Sequence, residues 1–377
     1  MQFQNPTRIM FSSGLIRKLG EIVEELGLTR PLLITDEGIK KAGIAEKVLS
    51  QCKGIPVFDA IEPNPKHLTV NRAGDMAREY KSDLVIGLGG GSVLDAAKAI
   101  AVLGTNPGGI EDYEGREKYK NPPLPVLAIP TTCGTGSEVT WVAVITHTGR
   151  KFKMSIKGKQ MYPAVALVDP DLLRTLPAQL VASTGLDALT HAVEAYSVKE
   201  ATFITDVFAR EALKVIFGSL EPAYKDIDGN REAREDLMRG SLLAGLAFGN
   251  SDVGAVHCLA EAVGSLYDTP HGVANSVLLP YVMEFNLPVS AGRYADIARM
   301  IGIIEEDDTI AAQKLISMIK DLSRSLGIPS FREIGIEEDA FPEIAQKSFE
   351  NNSNPSNPRD ATAQDYLDIL SRAFSDA

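Results

Sequence analysis

LVIGLGGGSVLDAAKAIA, residues 84–101, is the stretch that decides the fold. It joins an apolar run that predicts a buried strand, three glycines (Gly89, Gly90 and Gly91) and, directly after Ser92, an apolar helical pattern. Glycines allow positive φ angles and a close approach of the backbone to a ligand, and a helix N-terminus presents free N–H groups to a phosphate. The turn therefore predicts a nucleotide site. Because the standard GxGxxG spacing is absent, a tight strand–helix turn without a ligand is the alternative.

The first half of the chain repeats this alternation of strand and helix. Short apolar runs at residues 31–35, 126–129 and 166–168 predict further strands, and apolar periodicity predicts helices at residues 15–26 and 68–80. Apolar strands that alternate with helices are typical of a parallel sheet covered on both faces. Ligands of such sheets bind beyond the carboxyl ends of the strands, where the glycine turn lies.

A second loop rich in glycine and hydroxyl groups, PTTCGTGSEVT at residues 130–140, also follows a predicted strand. It suits diphosphate oxygens or a nicotinamide amide, with an ordinary surface loop as the alternative. Ser92 and Asp95 have the S-x-x-D spacing of a helix cap. Asp36 follows the strand at residues 31–35, where a carboxylate accepts hydrogen bonds from a ribose and repels a 2′-phosphate. Asp36 therefore favours NAD over NADP, and a helix cap is its alternative.

Strand patterns almost vanish after the proline-punctuated segment DPDLLRTLP, residues 169–177. Helical patterns follow instead, at residues 184–198, 203–220, 231–248, 253–266, 273–283 and 309–326. The sequence therefore predicts an α/β fold with an added all-α part. We expect residues 1–177 to form a dinucleotide-binding domain with a parallel sheet, and residues 178–377 to form a helical domain.

Three of the five histidines lie in the helical half and, together with one aspartate, predict a metal site. Asp187 and His191 are four residues apart, so both side chains lie on one helix face. His257 lies on a second predicted helix, and His271 precedes the next one. Three imidazoles and one carboxylate are a ligand set for Fe²⁺ or Zn²⁺ that leaves room for a substrate oxygen. Histidines that serve the core or cap helices are the alternative.

Composition and charge exclude several classes of protein. The 377 residues are 44% apolar and 23% charged, which argues against disordered and fibrous chains. A net charge of −12 argues against nucleic acid as a partner. Three scattered cysteines argue against a disulfide framework, and we recognise no membrane span or signal peptide, so we expect a cytoplasmic protein. His67 and His147 lie in turn-like contexts and are expected to face solvent.

Four motifs together resemble the iron-containing alcohol dehydrogenase family, namely GGGSVLDAAK, PTTCGTGSEVT, GLDALTHAVEAY and, beyond His257, YDTPHGVAN. The resemblance covers essentially the whole chain. It implies an N-terminal Rossmann-like domain and a C-terminal helical domain, with the active site in the cleft between them, and a homodimer. It also implies that Asp187, His191, His257 and His271 are the metal ligands.

The resemblance assigns roles to further residues. Phe248 matches an aromatic residue that lines the substrate pocket, and Lys153 matches a lysine near the nicotinamide ribose. The positions that match NAD contacts are Asp36, Gly89, Gly90, Gly91, Ser92, Asp95, Thr131, Thr132 and Thr135. The chain departs from the family at Glu261, where many members carry a histidine assigned to proton relay, and at Trp141, where some carry polar residues.

Glu261 is therefore the candidate catalytic residue, because it lies four residues after His257 and shares its helix face. A surface glutamate is the alternative. A carboxylate beside the metal would repel an anionic aldehyde, so a small neutral substrate is favoured. Trp141 either narrows the substrate pocket or lies in the core.

We therefore expect an NAD-dependent and metal-dependent alcohol dehydrogenase or aldehyde reductase that acts on a small alcohol or aldehyde, with Fe²⁺ or Zn²⁺ polarising the substrate oxygen. A metal-dependent lyase of the 3-dehydroquinate synthase type, which shares the two-domain plan, is the first alternative. It would need basic residues around the metal for a phosphorylated substrate, and the sequence places none beside the ligands. A non-catalytic protein that binds metal and nucleotide is the second.

Overall fold

The computed structural model describes residues 2–376, which form two compact units. The sheet unit comprises residues 4–132 and 136–176, and the helical unit comprises residues 177–376 with the short segments 2–3 and 133–135. The predicted division at residue 177 into a nucleotide-binding and a metal-binding domain concerns function and stays a prediction.

The sheet unit is built on a six-stranded parallel sheet. The described strands of the whole unit, in chain order, are β1 Arg8–Phe11, β2 Pro31–Ile34, β3 Val57–Phe58, β4 Leu84–Gly89, β5 Gly115–Arg116, β6 Val126–Pro130, β7 Val142–His147, β8 Phe152–Lys157 and β9 Val165–Val168. The order in the large sheet is β1-β9-β6-β4-β2-β3, and all of its neighbouring strands pair in parallel. The four runs that the sequence marks as strands become β2, β4, β6 and β9, which confirms the predicted parallel sheet.

Helices cover both faces of this sheet because its central strands are apolar on both sides. The α-helices of the unit are α1 Leu19–Glu25, α2 Glu37–Lys41, α3 Ala45–Gln51, α4 His67–Tyr80 and α5 Gly91–Thr105. Leu32 and Val85 pack on one face with α4 and α5, whereas Leu33 and Ile86 pack on the other face with α1 and α3. Burial on both sides explains why these strands read as continuous apolar runs.

The sequence analysis does not predict the second, three-stranded sheet, in which β8 lies between β5 and β7. β7 and β8 pair antiparallel, with Val142 opposite Lys157 and His147 opposite Phe152. β8, FKMSIK, alternates apolar and polar residues and has no apolar run, whereas β7, VAVITH, begins with four apolar residues that the sequence analysis missed. This hairpin carries Lys153.

The helical unit contains the long helices that the sequence predicts after residue 177. They are α6 Ala178–Ser197, α7 Phe203–Lys225, α8 Arg231–Ser251, α9 Ala255–Tyr267, α10 His271–Met300, α11 Asp308–Ser325, α12 Phe341–Phe349 and α13 Ala363–Ser375. α10 runs well past its predicted end at residue 283 and contains Pro280 and Pro288. Among residues 2–376, no single helix has the length and apolar character of a membrane span, and only the pair α8 and α9, which is bent by 100°, passes by length and composition.

Candidate metal centre and nucleotide loops

Three helices of the helical unit bring the four predicted metal ligands together. Asp187 and His191 lie one turn apart on α6, His257 lies in the first turn of α9, and His271 is the first residue of α10. One possible ligand atom from each of the four side chains lies within 4.8 Å of the others. Asp187, His191 and His257 are buried, and the His271 side chain is 29% exposed. His271 is thus the most exposed of the four side chains.

The imidazole Nε2 atoms face the interior of this cluster. The Nε2 atoms of His257 and His191 are 2.9 Å apart. Asn275, one turn after His271 on α10, places its Nδ2 2.6 Å from Asp187 Oδ1, 3.2 Å from His257 Nε2 and 3.1 Å from His271 Nε2. The sequence analysis missed Asn275, although its i, i+4 spacing from His271 is a signal that could have identified it.

The ionisation states of His191 and Asp187 suit a divalent cation. Burial lowers the pKa of His191 to about 4. Burial raises the pKa of Asp187, but the charges of the neighbouring imidazoles outweigh it, so the pKa of this carboxyl lies below its usual value. Neutral imidazole and ionised carboxylate are the forms that bind metals, and three nitrogens with one oxygen are a donor set for Fe²⁺ or Zn²⁺. The residues present therefore fit such an ion.

Glu194 contacts this cluster from behind, through the far side of the His257 ring. Its Oε2 lies 2.5 Å from His257 Nδ1, and its Oε1 accepts a hydrogen bond of 2.8 Å from Val256 N. Burial alone would lower the pKa of His257, but the Glu194 carboxylate outweighs it and raises that pKa. The sequence analysis missed Glu194, which lies inside the quoted motif GLDALTHAVEAY.

Phe248 and Cys258 lie next to the ligands. The Phe248 ring stacks on His191, with centroids 4.2 Å apart and planes inclined by 19°. Cys258 is fully buried, and burial raises the pKa of its thiol well above the usual value, with the Tyr366 hydroxyl as its hydrogen-bond partner. Phe248 can therefore limit the space beside His191, whereas Cys258 has neither the ionisation nor the access of a nucleophile.

Glu261 lies on α9 one turn after His257 and is half-buried. Its Oε2 accepts a hydrogen bond of 2.7 Å from Asn351 Nδ2, in the polar loop that precedes α13. Its charge acts on the His257 ring and contributes to the raised pKa of that histidine. The structure therefore places the carboxylate near the ligand cluster and in a fixed orientation.

Both glycine-rich loops follow strands of the sheet unit and leave the sheet at the same edge. They follow the neighbouring strands β4 and β6, where Gly89 lies opposite Pro130, and Thr131 N donates to Gly89 O at 3.0 Å. Gly90 caps α5 without a side-chain acceptor. The first-turn N–H groups of this 15-residue helix therefore receive no side-chain cap, as a phosphate site requires.

The expectation of positive φ angles in the first glycine turn is wrong. None of Gly89, Gly90 and Gly91 is among the positive-φ residues. Gly89 and Gly90 are needed for close packing instead: a Cβ at Gly89 would lie 2.6 Å from Val93 Cγ2, and one at Gly90 would lie 3.0 Å from Thr132 Cγ2. The turn is tight because β4, α5 and the second loop approach one another closely.

The predicted cap of α5 by Ser92 and Asp95 is also wrong. Asp95 accepts hydrogen bonds from Ser137 Oγ at 2.6 Å and Val144 N at 2.9 Å, and its Oδ1 lies 3.1 Å from the buried Lys98 Nζ. Asp95 thus ties α5 to the second loop and to β7. A contact of this carboxylate with a cofactor stays a prediction.

The other predicted cofactor residues differ in their surroundings. The Thr131 Oγ1 is buried without a hydrogen-bond partner in the described structure, while Thr132 and Thr135 are partly buried. Lys153, on β8, is buried and donates from Nζ to Asn64 Oδ1 at 2.9 Å. The Thr131 hydroxyl is thus the side-chain group at this edge that still has a hydrogen bond to make.

Asp36 and Trp141 have identified partners at the same unit's surface. Asp36 caps α2, because its Oδ1 accepts from Ile39 N at 2.9 Å, so the helix-cap alternative is confirmed. Trp141 is partly buried, and the Arg116 guanidinium lies over its ring, 5.1 Å from the centroid. A cap occupies only one carboxylate oxygen, so a ribose contact by Asp36 stays a prediction.

The expectation that His67 faces solvent is wrong. His67 is buried at the start of α4 and stacks on the partly buried His147, with centroids 4.3 Å apart. The two histidines meet because α4 packs beside the β7–β8 hairpin, which the sequence does not predict. Neither residue belongs to the ligand cluster of the helical unit.

Comparison with known proteins identifies the family. Residues 6–170 match the family described as iron-containing alcohol dehydrogenase, and residues 181–374 match the C-terminal part of the same family. The chain is 39% identical to 1,3-propanediol dehydrogenase of Klebsiella pneumoniae, over 98% of this chain and 97% of that protein. It is 36% identical to NAD-dependent methanol dehydrogenase of Bacillus methanolicus, over 98% of each.

A solved structure of 1,3-propanediol oxidoreductase superposes on this chain with a TM-score of 0.94 and 40% identity. The superposition covers 99% of this chain and all of that one. Fold, sequence and the order of the motifs agree over both units, so the lyase and the non-catalytic alternatives lose their support. The chain belongs to the iron-containing alcohol dehydrogenase family and is an oxidoreductase.

Proposed function

We propose that this protein is an NAD-dependent and metal-dependent alcohol dehydrogenase or aldehyde reductase that acts on a small, uncharged alcohol or aldehyde. The observation that carries the proposal is the convergence of the Asp187 carboxylate and the imidazoles of His191, His257 and His271 within 4.8 Å. An oxidoreductase of this family that lacked a metal would have no reason to bury such a set of donors.

These four side chains would hold Fe²⁺ or Zn²⁺, with Fe²⁺ favoured by the family's name. The bound ion supplies Lewis acidity at the substrate oxygen, which makes the adjacent carbon a better partner in hydride transfer. Phe248, stacked on His191, limits the size of a substrate beside the ligands. His271, the most exposed of the four ligands, lies on the side from which a substrate can approach.

Proton exchange with the substrate oxygen is the role that we assign to Glu261. Its carboxylate is one helical turn from His257 and is held by Asn351, so it stays in place while a proton moves to or from the alcohol through water. The same negative charge disfavours an anionic aldehyde. A methanol dehydrogenase and a 1,3-propanediol dehydrogenase among the relatives, both named for uncharged alcohols, support this substrate class.

NAD binding is supported by the edge of the sheet where β4 and β6 end. The uncapped start of α5 and the Thr131 hydroxyl offer hydrogen bonds to a pyrophosphate or an amide. Gly89, Gly90, Gly91, Ser92, Asp95, Thr132, Thr135 and Lys153 complete the proposed set. Asp36, at the end of β2, would repel a 2′-phosphate, and one relative is named as NAD-dependent.

The experiment is a reconstitution followed by a substrate panel. The metal-free chain is loaded with Fe²⁺ without oxygen, or with Zn²⁺, and the oxidation of NADH is followed with short aliphatic aldehydes and hydroxy-aldehydes; the reverse reaction uses the matching alcohols. We expect turnover that depends on the metal and is fastest with uncharged substrates. Full activity without metal, or none with any aldehyde, would contradict the proposal. The expected homo-oligomer stays a prediction, which light scattering of the same sample tests.

A further inference from the structure

Glu194 is the buried carboxylate that lies directly behind the ligand cluster. It is on α6, three residues after His191, and its side chain is only 6% exposed. Each of its oxygens has its own partner: Oε1 accepts from Val256 N at 2.8 Å, and Oε2 lies 2.5 Å from His257 Nδ1. One side chain of α6 therefore contacts both the backbone of α9 and the ring of a ligand on α9.

The Glu194 contact decides where the proton of His257 resides. An ionised carboxylate only accepts hydrogen bonds, so Nδ1 must be the donor, and the lone pair of the neutral ring is then at Nε2. The Nε2 atom is the one that faces His191 Nε2 and Asn275. A free imidazole exchanges its proton between both nitrogens and rotates about two bonds, and a metal ligand with such freedom binds more weakly.

We propose that Glu194 is a positioning residue of the metal centre, which fixes the His257 ring with its Nε2 lone pair toward Asp187, His191 and His271. The inference rests on the proposed function, since it concerns the same site. Glu194 itself does not touch the ion or the substrate. It acts through His257, and its hydrogen bond with Val256 N also holds the start of α9 in place.

The start of α9 is built around this carboxylate. Gly254 caps the helix without a side chain, and its N-terminal amides use distant acceptors instead: Ala255 N donates to Asn357 Oδ1 at 3.2 Å, and Val256 N donates to Glu194. A Cβ at Gly254 would lie 3.1 Å from Glu194 Oε1 and 2.9 Å from Asn357 Oδ1. Glycine at this position therefore lets both acceptors approach, which fixes the first turn of α9 where His257 begins.

Glu194→Gln separates the positioning role from the helix cap. The Val256 N–H can only donate, so the amide oxygen of glutamine must remain on it, and the amide NH₂ must then face His257 Nδ1. Two donors cannot pair, so Nδ1 loses its proton and becomes the acceptor, and the proton moves to Nε2, where it blocks coordination. The variant keeps the size of the side chain and the cap of α9 but reverses the tautomer.

The test measures the binding of Zn²⁺ to the metal-free full-length chain in competition with a chromogenic chelator. Loss of a carboxylate behind a histidine ligand typically weakens metal binding 10- to 100-fold, and we expect Glu194→Gln to fall in this range. Far-UV circular dichroism of the metal-free variant should match the wild type. The d–d absorption of Co²⁺ bound to the variant should shift, because the geometry at His257 changes.

Two controls separate positioning from a general effect of losing a buried carboxylate. Asp169 is the matched case, since it is fully buried in the sheet unit and accepts from Gly14 N, Ile16 N and Asp171 N without contacting a histidine. Asp169→Asn should destabilise the fold but leave the Zn²⁺ affinity unchanged. In a His257→Ala background, the weak Zn²⁺ affinity that three donors retain, measured at raised Zn²⁺ concentration, should not fall further with Glu194→Gln, because the two residues act as a pair.

The outcomes distinguish the two proposals. If the wild type binds neither Zn²⁺ nor, without oxygen, Fe²⁺, both the proposed function and this inference are wrong. If the wild type binds Zn²⁺ and Glu194→Gln binds it within twofold of the same affinity, the inference alone is wrong. Should Glu194→Gln fail to fold, Glu194→Asp replaces it: the shorter carboxylate cannot reach both partners, and an unchanged Zn²⁺ affinity for that variant would equally overturn the inference.

Discussion

The cluster that we propose to bind a metal and the two loops that we propose to bind a nucleotide are built in opposite ways. In the cluster, side chains from α6, α9 and α10 point toward one another, so that their possible ligand atoms lie close together. The side-chain amide of Asn275 contacts those of Asp187 and His271. Beside the loops, the Asp95 carboxylate on α5 bonds Ser137 and Val144 and so supports the structure of the second loop. What the loops leave available is backbone at the start of α5 and a threonine hydroxyl.

This difference follows from the chemistry of the two groups. A divalent cation needs several charged or lone-pair side chains within a few ångströms, and only rigid elements can hold such groups against their mutual repulsion. A pyrophosphate is already charged and large, so helix N–H groups suffice for it and the side chains are available to support the loop. Substitutions in the cluster should therefore affect chemistry, whereas those in the loops should mainly affect stability or cofactor preference.

The largest effect is expected from removing a ligand. His257→Ala or His271→Ala leaves three donors, so bound metal should be lost and turnover should fall by about 10³-fold or more, since the ion contributes several kcal/mol at the transition state. Metal content by mass spectrometry and NADH oxidation measure both effects. His147→Ala, in the sheet unit, is the matched control and should keep its metal. Normal metal occupancy and turnover in either ligand variant would refute the site.

A pH-dependent stability is expected from the second loop. Glu138 is buried there, and burial raises its pKa to about 7. Because this pKa exceeds that of the unfolded chain, the folded state holds the proton more tightly; the resulting stability is present at low pH and is lost as the pH rises through about 7. Glu138→Gln removes this dependence. The free energy of unfolding of the variant, taken relative to that of wild type, should therefore be higher at pH 8 than at pH 5 by about 2 kcal/mol.

Urea unfolding at the two pH values checks this expectation, with the exposed Glu46→Gln as control. An equal difference between Glu138→Gln and wild type at both pH values would show that Glu138 does not titrate in this range. If the pH dependence is found and the variant keeps its metal, the Glu138 carboxylate affects stability and not the metal centre, as the comparison of the two regions predicts.

A smaller effect on turnover is expected at Glu261, which borders the cluster. If Glu261 exchanges protons with the substrate, Glu261→Gln should lower kcat by roughly tenfold and flatten the pH profile of kcat. The decrease is smaller than a full acid–base contribution because water reaches this half-buried position and can replace the carboxylate. Glutamine can still bond Asn351, so the fold should be unaffected. Exposed Glu343→Gln on α12 is the control.

The same variant tests the substrate class. Wild type should prefer a neutral aldehyde to an acidic one of similar size, and Glu261→Gln should narrow that preference. Unchanged rates and pH profile with both aldehydes would make Glu261 a structural residue. A wild-type preference for the acidic aldehyde would overturn the proposed substrate class.

The smallest effect is expected on cofactor choice. Asp36→Gly removes the charge that would repel a 2′-phosphate, so the preference for NADH over NADPH in kcat/KM should decrease by about tenfold or less. The effect is small because solvent and salt screen a partly exposed charge. Glycine is tolerated at a helix N-cap, so stability should change by only a few tenths of a kcal/mol. Glu37→Gln, next to Asp36 in sequence, is the control. A wild type that uses NADPH more efficiently than NADH would contradict this assignment.

Local patterns are what the sequence predicts well in this protein. The buried strands β2, β4, β6 and β9 read as apolar runs, and the helices after residue 177 read as long periodic patterns. The sequence analysis missed the β7–β8 hairpin because β8 alternates apolar and polar residues, so the apolar start of β7 had no recognisable partner strand. It therefore missed the burial of His67 as well. The Asp95 cap fails for a related reason, because its partners Ser137 and Val144 are more than 40 residues away.

By itself, the sequence determines the family and the alternation of strands and helices, and it predicts the four side chains that converge in the helical unit, because i, i+4 spacing and glycine turns are local properties of the chain. The tertiary structure alone decides which groups support those donors. Glu194 meets His257 across 63 residues, and Asn275 reaches Asp187 across 88. Such pairs depend on how α6, α9 and α10 pack, and packing is set by the sum of many side-chain contacts that no short stretch of sequence contains.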